Sequence, residues 1–504
     1  MEATAVTEQQ HPQGKAHNPG GTEAPVFRPR KNGQEQKVSA ELSDWMRTGW
    51  ADTELRDVEP VEQAEHTARR RAALSARFPG ERLVIPAGGL KTRSNDTEYP
   101  FRAACDYVYL SGDQSDDGCL VFEPRPGGHD VTAYLRPRSN RENGEFWLDG
   151  HGELWSGRRD SLAEGAARLG IATHDVRELP AVLEKAADGA ATRIVRGHDA
   201  ALEKVVDGLR GDAGKAAERD EELAVALHDL RLVKDEWEIE QLQKAVDSTV
   251  RGFEDVVAAL PEAKATSERY IEGTFFLRAR VEGNDVGYGT IAASGPNATT
   301  LHWVRNDGPV RDGELLLLDA GVETDELYTA DVTRTLPISG TFTDVQRRVY
   351  DLVYKAQEAS IAAVAPGRPF RDYHVAAQRA LAEGLVEMGL LEGPVDRVVE
   401  LGLQRRYTLH GTGHMLGLDV HDCARSRTEE HVYGELKPGM VLTVEPGLYF
   451  QPDDLTVPEE LRGIGVRIED DVVVTEDGNR VMSAGLPRRS DEVEAWLAAR
   501  LPKA

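Results

Sequence analysis

An α+β fold preceded by a small α/β domain is what this chain predicts, from its length and from two contrasting patterns along it. At 504 residues it exceeds the roughly 150 residues of an average domain, so two folded units and a tail are expected. Over 41–228 short apolar runs (RLVIPA from Arg82, DYVYL from Asp106, GCLVFE from Gly118, DVTAYL from Asp130) alternate with helical stretches such as VEQAEHTARRRAALSARF, the signature of a small α/β domain. Over 229–504, strands carrying polar side chains alternate with amphipathic helices, so helices back one face of a sheet.

Taken in order, residues 1–40 are rich in Gln, Gly, Pro, Glu and Lys and poor in large apolar side chains. Such a segment cannot offset the entropy of ordering and reads as a disordered tail. The charged stretch AAERDEELAVALHDL (216–230) reads as a helical hinge into the second unit. There Ile239, Leu242, Val246, Val250, Phe253 and Val257 recur at spacings of three and four, one apolar stripe of a helix. Thr343 is placed to N-cap another helix, with Val345, Val349, Leu352, Val353 and Ala356 on its inner face and Pro366-Gly367 as its stop. A third helix spans Asp372 to Met388. No tandem repeat is present.

Composition narrows the function. Hydrophobic residues make up 40% and charged residues 29%, as in ordinary globular proteins. The net charge of -27 would repel a phosphate backbone, and the basic runs at Arg69–Arg71 and Arg158–Arg159 are too short to offset it, so nucleic acid is not an expected partner. Cys105, Cys119 and Cys423 are widely spaced, which excludes a disulfide scaffold or zinc knuckle and fits a reducing compartment. The first twenty residues lack a signal-peptide core, and no long apolar run suggests a membrane span. The expectation is a cytoplasmic protein with no membrane partner.

Chemistry concentrates in the last two hundred residues, where Asp319, Asp331, His414, Glu445 and Glu469 lie in four segments. In LLLLDAGVETDELYTADVT two strand-like arms flank a turn, and a hairpin symmetric about Asp325 would set Asp319 directly across from Asp331. Two bare carboxylates so close repel unless they share a proton or hold a cation, and the apolar run Leu315–Leu318 favours the cation. In GVRIEDD, Val466 and Ile468 point one way and Arg467 and Glu469 the other; likewise Thr443 and Glu445 oppose Leu442 and Val444. One acid among 87 is usually a solvated surface charge, but four strand-embedded acids with a histidine segment between them form a pattern. They are too many for one tetrahedral zinc. With two acids bridging they suit a pair of divalent ions about 3.5–4 Å apart, and the oxygen-rich set favours Mn(II), with zinc, cobalt and iron also compatible. Two such ions balance four carboxylates and acidify a bridging water. His410 and His414 share an H-x-x-x-H spacing, but Gly411 and Gly413 argue for a loop rather than a helix; His421 follows in LDVHD and His302 stands in TTLHWVRND. No H-E-x-x-H, G-x-S-x-G or Walker loop competes.

LLLLDAG, ADVTRT, LHGTGHMLGLDVHD, TVEPGLY and GIGVRIEDD, in that order, with TRSNDTEYPFRAACDYVYLSG upstream, resemble the aminopeptidase P (Xaa-Pro aminopeptidase) family of pita-bread metallopeptidases. The resemblance covers nearly the whole chain after the tail, though the loop between the two aspartates is slightly longer than the family pattern. It implies an α/β amino-terminal domain (41–228) followed by a pita-bread, creatinase/aminopeptidase-like catalytic domain (229–504). It implies a dinuclear metal-dependent aminopeptidase that releases the first residue of peptides with proline second, by attack of a metal-bridging hydroxide. On the family's pattern Asp319 would bind one ion, Asp331 and Glu469 would bridge, and His414 and Glu445 would bind the other. His302, His410, His421 and Arg467 would surround the scissile bond, and Glu445 would also shuttle a proton. A homo-oligomer, dimer or tetramer, is implied too. The competing readings are a prolidase, cleaving Xaa-Pro dipeptides, and a pita-bread domain that has lost its metals and serves as a binding scaffold.

Overall fold

The computed structural model describes residues 26–27, 36–95, 97–185, 190–211 and 213–501. Most of the expected tail lies outside the described residues, apart from a short ladder of Val26–Phe27 on Gln36–Lys37 and the approach to helix Ala40–Met46.

A five-stranded mixed sheet organises the first half, in the order Ala172–Asp175, Gly128–Leu135, Cys119–Arg125, Arg82–Pro86, Thr192–Ile194. Three of the four apolar runs are its strands. The fourth is not. Residues Cys105–Ser111 form a helix, every residue of it buried, closed by Gly112 in the left-handed conformation. An element covered on all sides carries no polar stripe, so a short apolar run is equally a buried helix or a buried strand, and the expectation of alternation with a strand here was wrong. Its side chains, with Leu74, Leu83 and Phe122, build the core of this half.

The hinge stretch is the end of a long helix, Ala213–Arg231. Asp235 then caps Glu236–Ala258 through a reciprocal pair of hydrogen bonds with Glu238, which satisfies amides that the helix cannot. The expected stripe faces inward: Leu242, Val246, Phe253 and Val257 are buried. Thr343 caps Asp344–Ala363 and accepts from the Gln346 amide; Asp372–Glu387 follows. The two helices pack on each other, and Asp344–Ala363 also packs on two small antiparallel sheets, Val441–Val444 with Asp470–Val474 and Asn479–Val481 and Gly447–Tyr449 with Gly465–Arg467; a third sheet is Ile291–Ser294, Leu315–Ala320 and Val332–Pro337. Leu316, Leu318, Val466 and Ile468 of the strand segments share one core with Val349 and Val353 of Asp344–Ala363.

The aspartate hairpin is offset from the expected register. Asp319 pairs with Thr333, and Glu323 bridges Thr329; the turn is built around Leu327, whose φ is 69°. The arms are therefore displaced by two residues from a hairpin symmetric about Asp325. A displacement of two leaves every side chain on its original face, so Asp319 and Asp331 still share one, now diagonally. Gly321 permits the approach: a Cβ there would stand 1.6 Å from the Ala330 carbonyl oxygen.

Candidate metal centre

All nine residues singled out from sequence, His302, Asp319, Asp331, His410, His414, His421, Glu445, Arg467 and Glu469, line one cleft of about 680 Å³. Each arrives by a local rule. Asp319 is the next-to-last residue of a buried strand. Asp331 stands immediately before the returning arm, its amide donating to Asp471. Glu445 follows the last residue of Val441–Val444, and its amide donates to the Thr412 carbonyl at 2.7 Å. Glu469 sits between Gly465–Arg467 and Asp470–Val474, its amide on the Thr333 carbonyl at 3.1 Å and its Oε2 accepting from the Thr333 hydroxyl at 2.6 Å. His410 and His414 lie in non-helical backbone, as the two glycines require.

The innermost group is Asp331, His414 and Glu469, whose ligand atoms all lie within 4.8 Å of one another. His414 presents Nε2 to Asp331 at 3.3 Å and to Glu445 at 3.7 Å, while its Nδ1 donates to the Met415 carbonyl at 3.0 Å. That outer bond fixes the tautomer that leaves Nε2 free as a ligand. Asp319 joins through Tyr288, whose hydroxyl lies 2.6 Å from Asp319 Oδ1 and 2.5 Å from Asp331 Oδ1, and through an ion pair with Arg467.

The electrostatics describe a cage that wants cations. Burial raises Asp319, against the pull of Arg467 and with a further push from Asp331. Burial lifts Glu445 to about 7. It lifts Glu469 well above the ordinary carboxylate range, reinforced by Asp331, Glu445 and Asp319. Burial disfavours a charge on His414, yet Asp331 and Glu445 outweigh it and hold the imidazole up at about 9. Carboxylates forced to hold protons by burial and by one another are the donor set that divalent ions relieve. The oxygen and imidazole donors therefore fit metal.

Two tyrosines at the site were not foreseen. Tyr288 is described above. Tyr449 accepts from Arg467 Nη1 at 2.8 Å and lies 2.9 Å from His410 Nε2. Arginine can only donate, and His410 Nδ1 faces the Gly411 carbonyl at 2.6 Å, so a neutral His410 carries its proton on Nδ1 and accepts the tyrosine hydrogen on Nε2. Burial, with Arg467 nearby, holds His410 neutral by depressing it to about 4. The available signal was Tyr449's place in EPGLY, four residues after Glu445 on the hairpin that returns to Arg467. Tyr288 had no such marker beyond the glycines of VGYGT.

This architecture is that of a metallopeptidase: the profile described as Metallopeptidase family M24 matches residues 240–476, and Aminopeptidase P, N-terminal domain, matches 67–195. Xaa-Pro aminopeptidase 1 of Streptomyces coelicolor is 68% identical over 95% of this chain and 96% of its own length. The Escherichia coli Xaa-Pro aminopeptidase is 34% identical over 87% of this chain and 98% of its own. Among solved structures, a Pseudomonas aeruginosa aminopeptidase superposes with a TM-score of 0.77 at 31% identity, covering 87% of this chain and 98% of that one. An Escherichia coli aminopeptidase P in complex with substrate gives 0.77 at 32% identity, over 88% and 99%. The chain belongs to the aminopeptidase P family of pita-bread metallopeptidases.

Proposed function

We propose that the protein is a metal-dependent aminopeptidase that releases the first residue of peptides with proline in second position. The observation that carries the reading is the convergence of four acids, four imidazoles' worth of histidine ring and one arginine: all nine residues on a single cleft, in a chain so similar to Xaa-Pro aminopeptidases. Asp319, Asp331, His414, Glu445 and Glu469 would hold the metal. The finer reading is two ions, from the charge of four carboxylates, and Mn(II), from the oxygen-rich donors. Bound there, divalent ions would supply an acidified water and polarise the scissile carbonyl.

The chain's own residues do the rest. Glu445, open on one side to the cleft and with its Oε2 3.6 Å from His410, is placed to take a proton from water and deliver it to the proline nitrogen. The peptide nitrogen before proline carries no hydrogen, so the leaving amine depends on a delivered proton. His302 and His421 stand exposed at the cleft wall, where their ring N–H groups can donate to the oxygen on which charge develops. Arg467 and Tyr449 lock the orientation of His410. The amino-terminal unit (41–228) is read as a wall for the catalytic unit (229–504), through contacts described below. A homo-oligomer completing that wall, and a reducing cytoplasmic setting suited to three free buried cysteines, complete the proposal. Among the described residues no helix is long and apolar enough to cross a membrane.

The test is hydrolysis of Xaa-Pro-Xaa tripeptides and Xaa-Pro dipeptides by chelated protein before and after adding back each metal. Tripeptide cleavage restored by Mn(II) supports the reading. Cleavage of dipeptides alone assigns a prolidase, and activity indifferent to chelator overturns the metal centre.

A further inference from the structure

Beside the catalytic cleft runs a second groove, of about 610 Å³, and the two share His410 and Gly411 as a common wall. Its lining includes apolar side chains open to solvent: Val375, Leu401 and Leu409 are 54%, 52% and 65% exposed. The same groove is lined by Arg371, Arg405 and His374, both guanidinium groups lying close enough to act on the imidazole. Neither Arg371 nor Arg405 has a carboxylate partner among the described residues, in a chain of 87 acids and 60 bases. The adjacent acids are already taken, Asp372 by Arg368 and Glu400 by Arg397, and Arg371 rests only over the Tyr433 ring. Gln404, buried in the floor, leaves Oε1 without a hydrogen-bond partner while its amide nitrogen serves Gln378. The groove is also tied to the centre: His374 bonds the Thr412 hydroxyl at 2.9 Å, and the Thr412 carbonyl holds the Glu445 amide at 2.7 Å.

We propose that this groove is a distal specificity site for the downstream end of longer peptides. Apolar side chains lie along Val375, Leu401 and Leu409, and the C-terminal carboxylate sits on Arg371 and Arg405. The inference deepens the peptidase reading and rests on it. Charge complementarity selects the occupant. Planar guanidinium forks match a carboxylate, and a free peptide acid is the anion that a cleft for peptides would deliver to its own rim. Arg371 and Arg405 are specificity residues here and touch no reacting atom.

The experiment uses the full-length, metal-loaded enzyme and a series of Xaa-Pro peptides lengthened at the C-terminus, each as free acid and as amide. Wild-type kcat/KM is expected to favour the acid over the amide by about tenfold once the chain reaches the groove. The preference should reside in KM and shrink with added salt. Arg371→Gln/Arg405→Gln should abolish it and leave kcat on the tripeptide amide unchanged. Equal acid-to-amide ratios in wild type and variant at every length overturn the proposal. So does a changed oligomeric mass in the variant where wild type shows no acid preference, which would assign the groove to a contact between copies. A calorimetric arm measures binding of the longest peptide with a reduced scissile bond, again as acid and amide. Absence of all turnover would sink the peptidase reading, yet this arm still tests the groove, because loss of acid preference on substitution supports it and indifference refutes it.

Discussion

At the scale of single residues, Tyr288 shows how the cage is held before any ion arrives. A phenol has one hydrogen, yet its oxygen approaches two carboxylates at 2.6 and 2.5 Å. Burial, with Asp319 and Asp331 beside it, raises its pKa well beyond the ordinary range, so the hydroxyl stays protonated and donates to one acid while the other supplies the second hydrogen. Tyr288→Phe removes this clamp without removing a donor to metal. Affinity for Mn(II), read by competition with a chelating dye, is expected to fall about tenfold, the scale of outer-shell partners elsewhere; an unchanged affinity would show the clamp to be incidental. Glu445 gives a pH signature. Its carboxyl is raised to about 7 in the metal-free fold, above the value of about 4.3 expected unfolded. Its contribution to stability is therefore present at low pH and lost as pH rises through 7. Metal binds the deprotonated form, so the rise in Tm on adding Mn(II) should grow between about pH 5 and pH 8. Glu445→Gln should flatten that growth, and a wild-type increment independent of pH would contradict the assignment.

At the scale of elements, what sequence reveals is what local rules govern. Capping by Thr343 and the stripe on Glu236–Ala258 are written in neighbours three and four residues apart, and both hold in the structure. The face shared by Arg467 and Glu469 follows from strand alternation, and Val466 and Ile468 do lie in the core opposite. Hairpin register escaped because it depends on Leu327 adopting a left-handed φ, which a leucine does not advertise. Cys105–Ser111 escaped because burial on every side erases periodicity. Tyr288 and Tyr449 escaped because their partners lie 31 and 18 residues away in sequence. Close backbone approach is a further rule, and Gly413 tests it. Residues 412–414 lie flat against 443–445, with the Thr443 amide on the His414 carbonyl at 2.9 Å, and a Cβ at Gly413 would stand 2.0 Å from the Thr443 carbonyl oxygen. Backbone cannot yield as a flexible side chain does, so Gly413→Ala is expected to cost about 1–3 kcal/mol and to move His414 out of the cage. Thermal melts with and without Mn(II) should show a lowered Tm and no metal increment. Gly478→Ala, where a Cβ meets open space, serves as the neutral control, and equal behaviour of the two would refute the argument.

At the scale of the whole molecule, the amino-terminal and catalytic units meet through buried charge rather than through apolar surface alone. Arg102 pairs with Glu323 at 2.6 Å and donates to the carbonyls of Leu327 and Leu418. Arg231, at the end of the connecting helix, reaches Asp106 at 2.9 Å in the first unit, and Asp419 and Asp422 in the loop that carries His421. Lys234 adds a bond to Asp422 at 3.0 Å. Asp422 is thus the counter-ion of two cations, and the side chains of Arg231, Lys234 and Asp422 are 2%, 1% and 1% exposed. Despite the burial that opposes its charge, these cations hold the Asp422 carboxyl far below the usual range. Asp422→Asn keeps the shape and leaves both cations underneutralised in a dry junction, a defect worth about 3–5 kcal/mol where one member of a buried pair is lost. Because the folded-state pKa is depressed, the wild-type advantage is present above the unfolded value of about 4 and disappears as pH falls through the folded one. Denaturant unfolding should therefore show a constant gap between wild type and variant from about pH 5 to pH 8, closing below about pH 4. Since the same loop presents His421 to the cleft, kcat/KM should fall even where the variant is fully folded, with metal affinity unchanged. A variant as stable as wild type at neutral pH would mean that Asp106 and Asp419 suffice, and that the junction does not depend on Asp422.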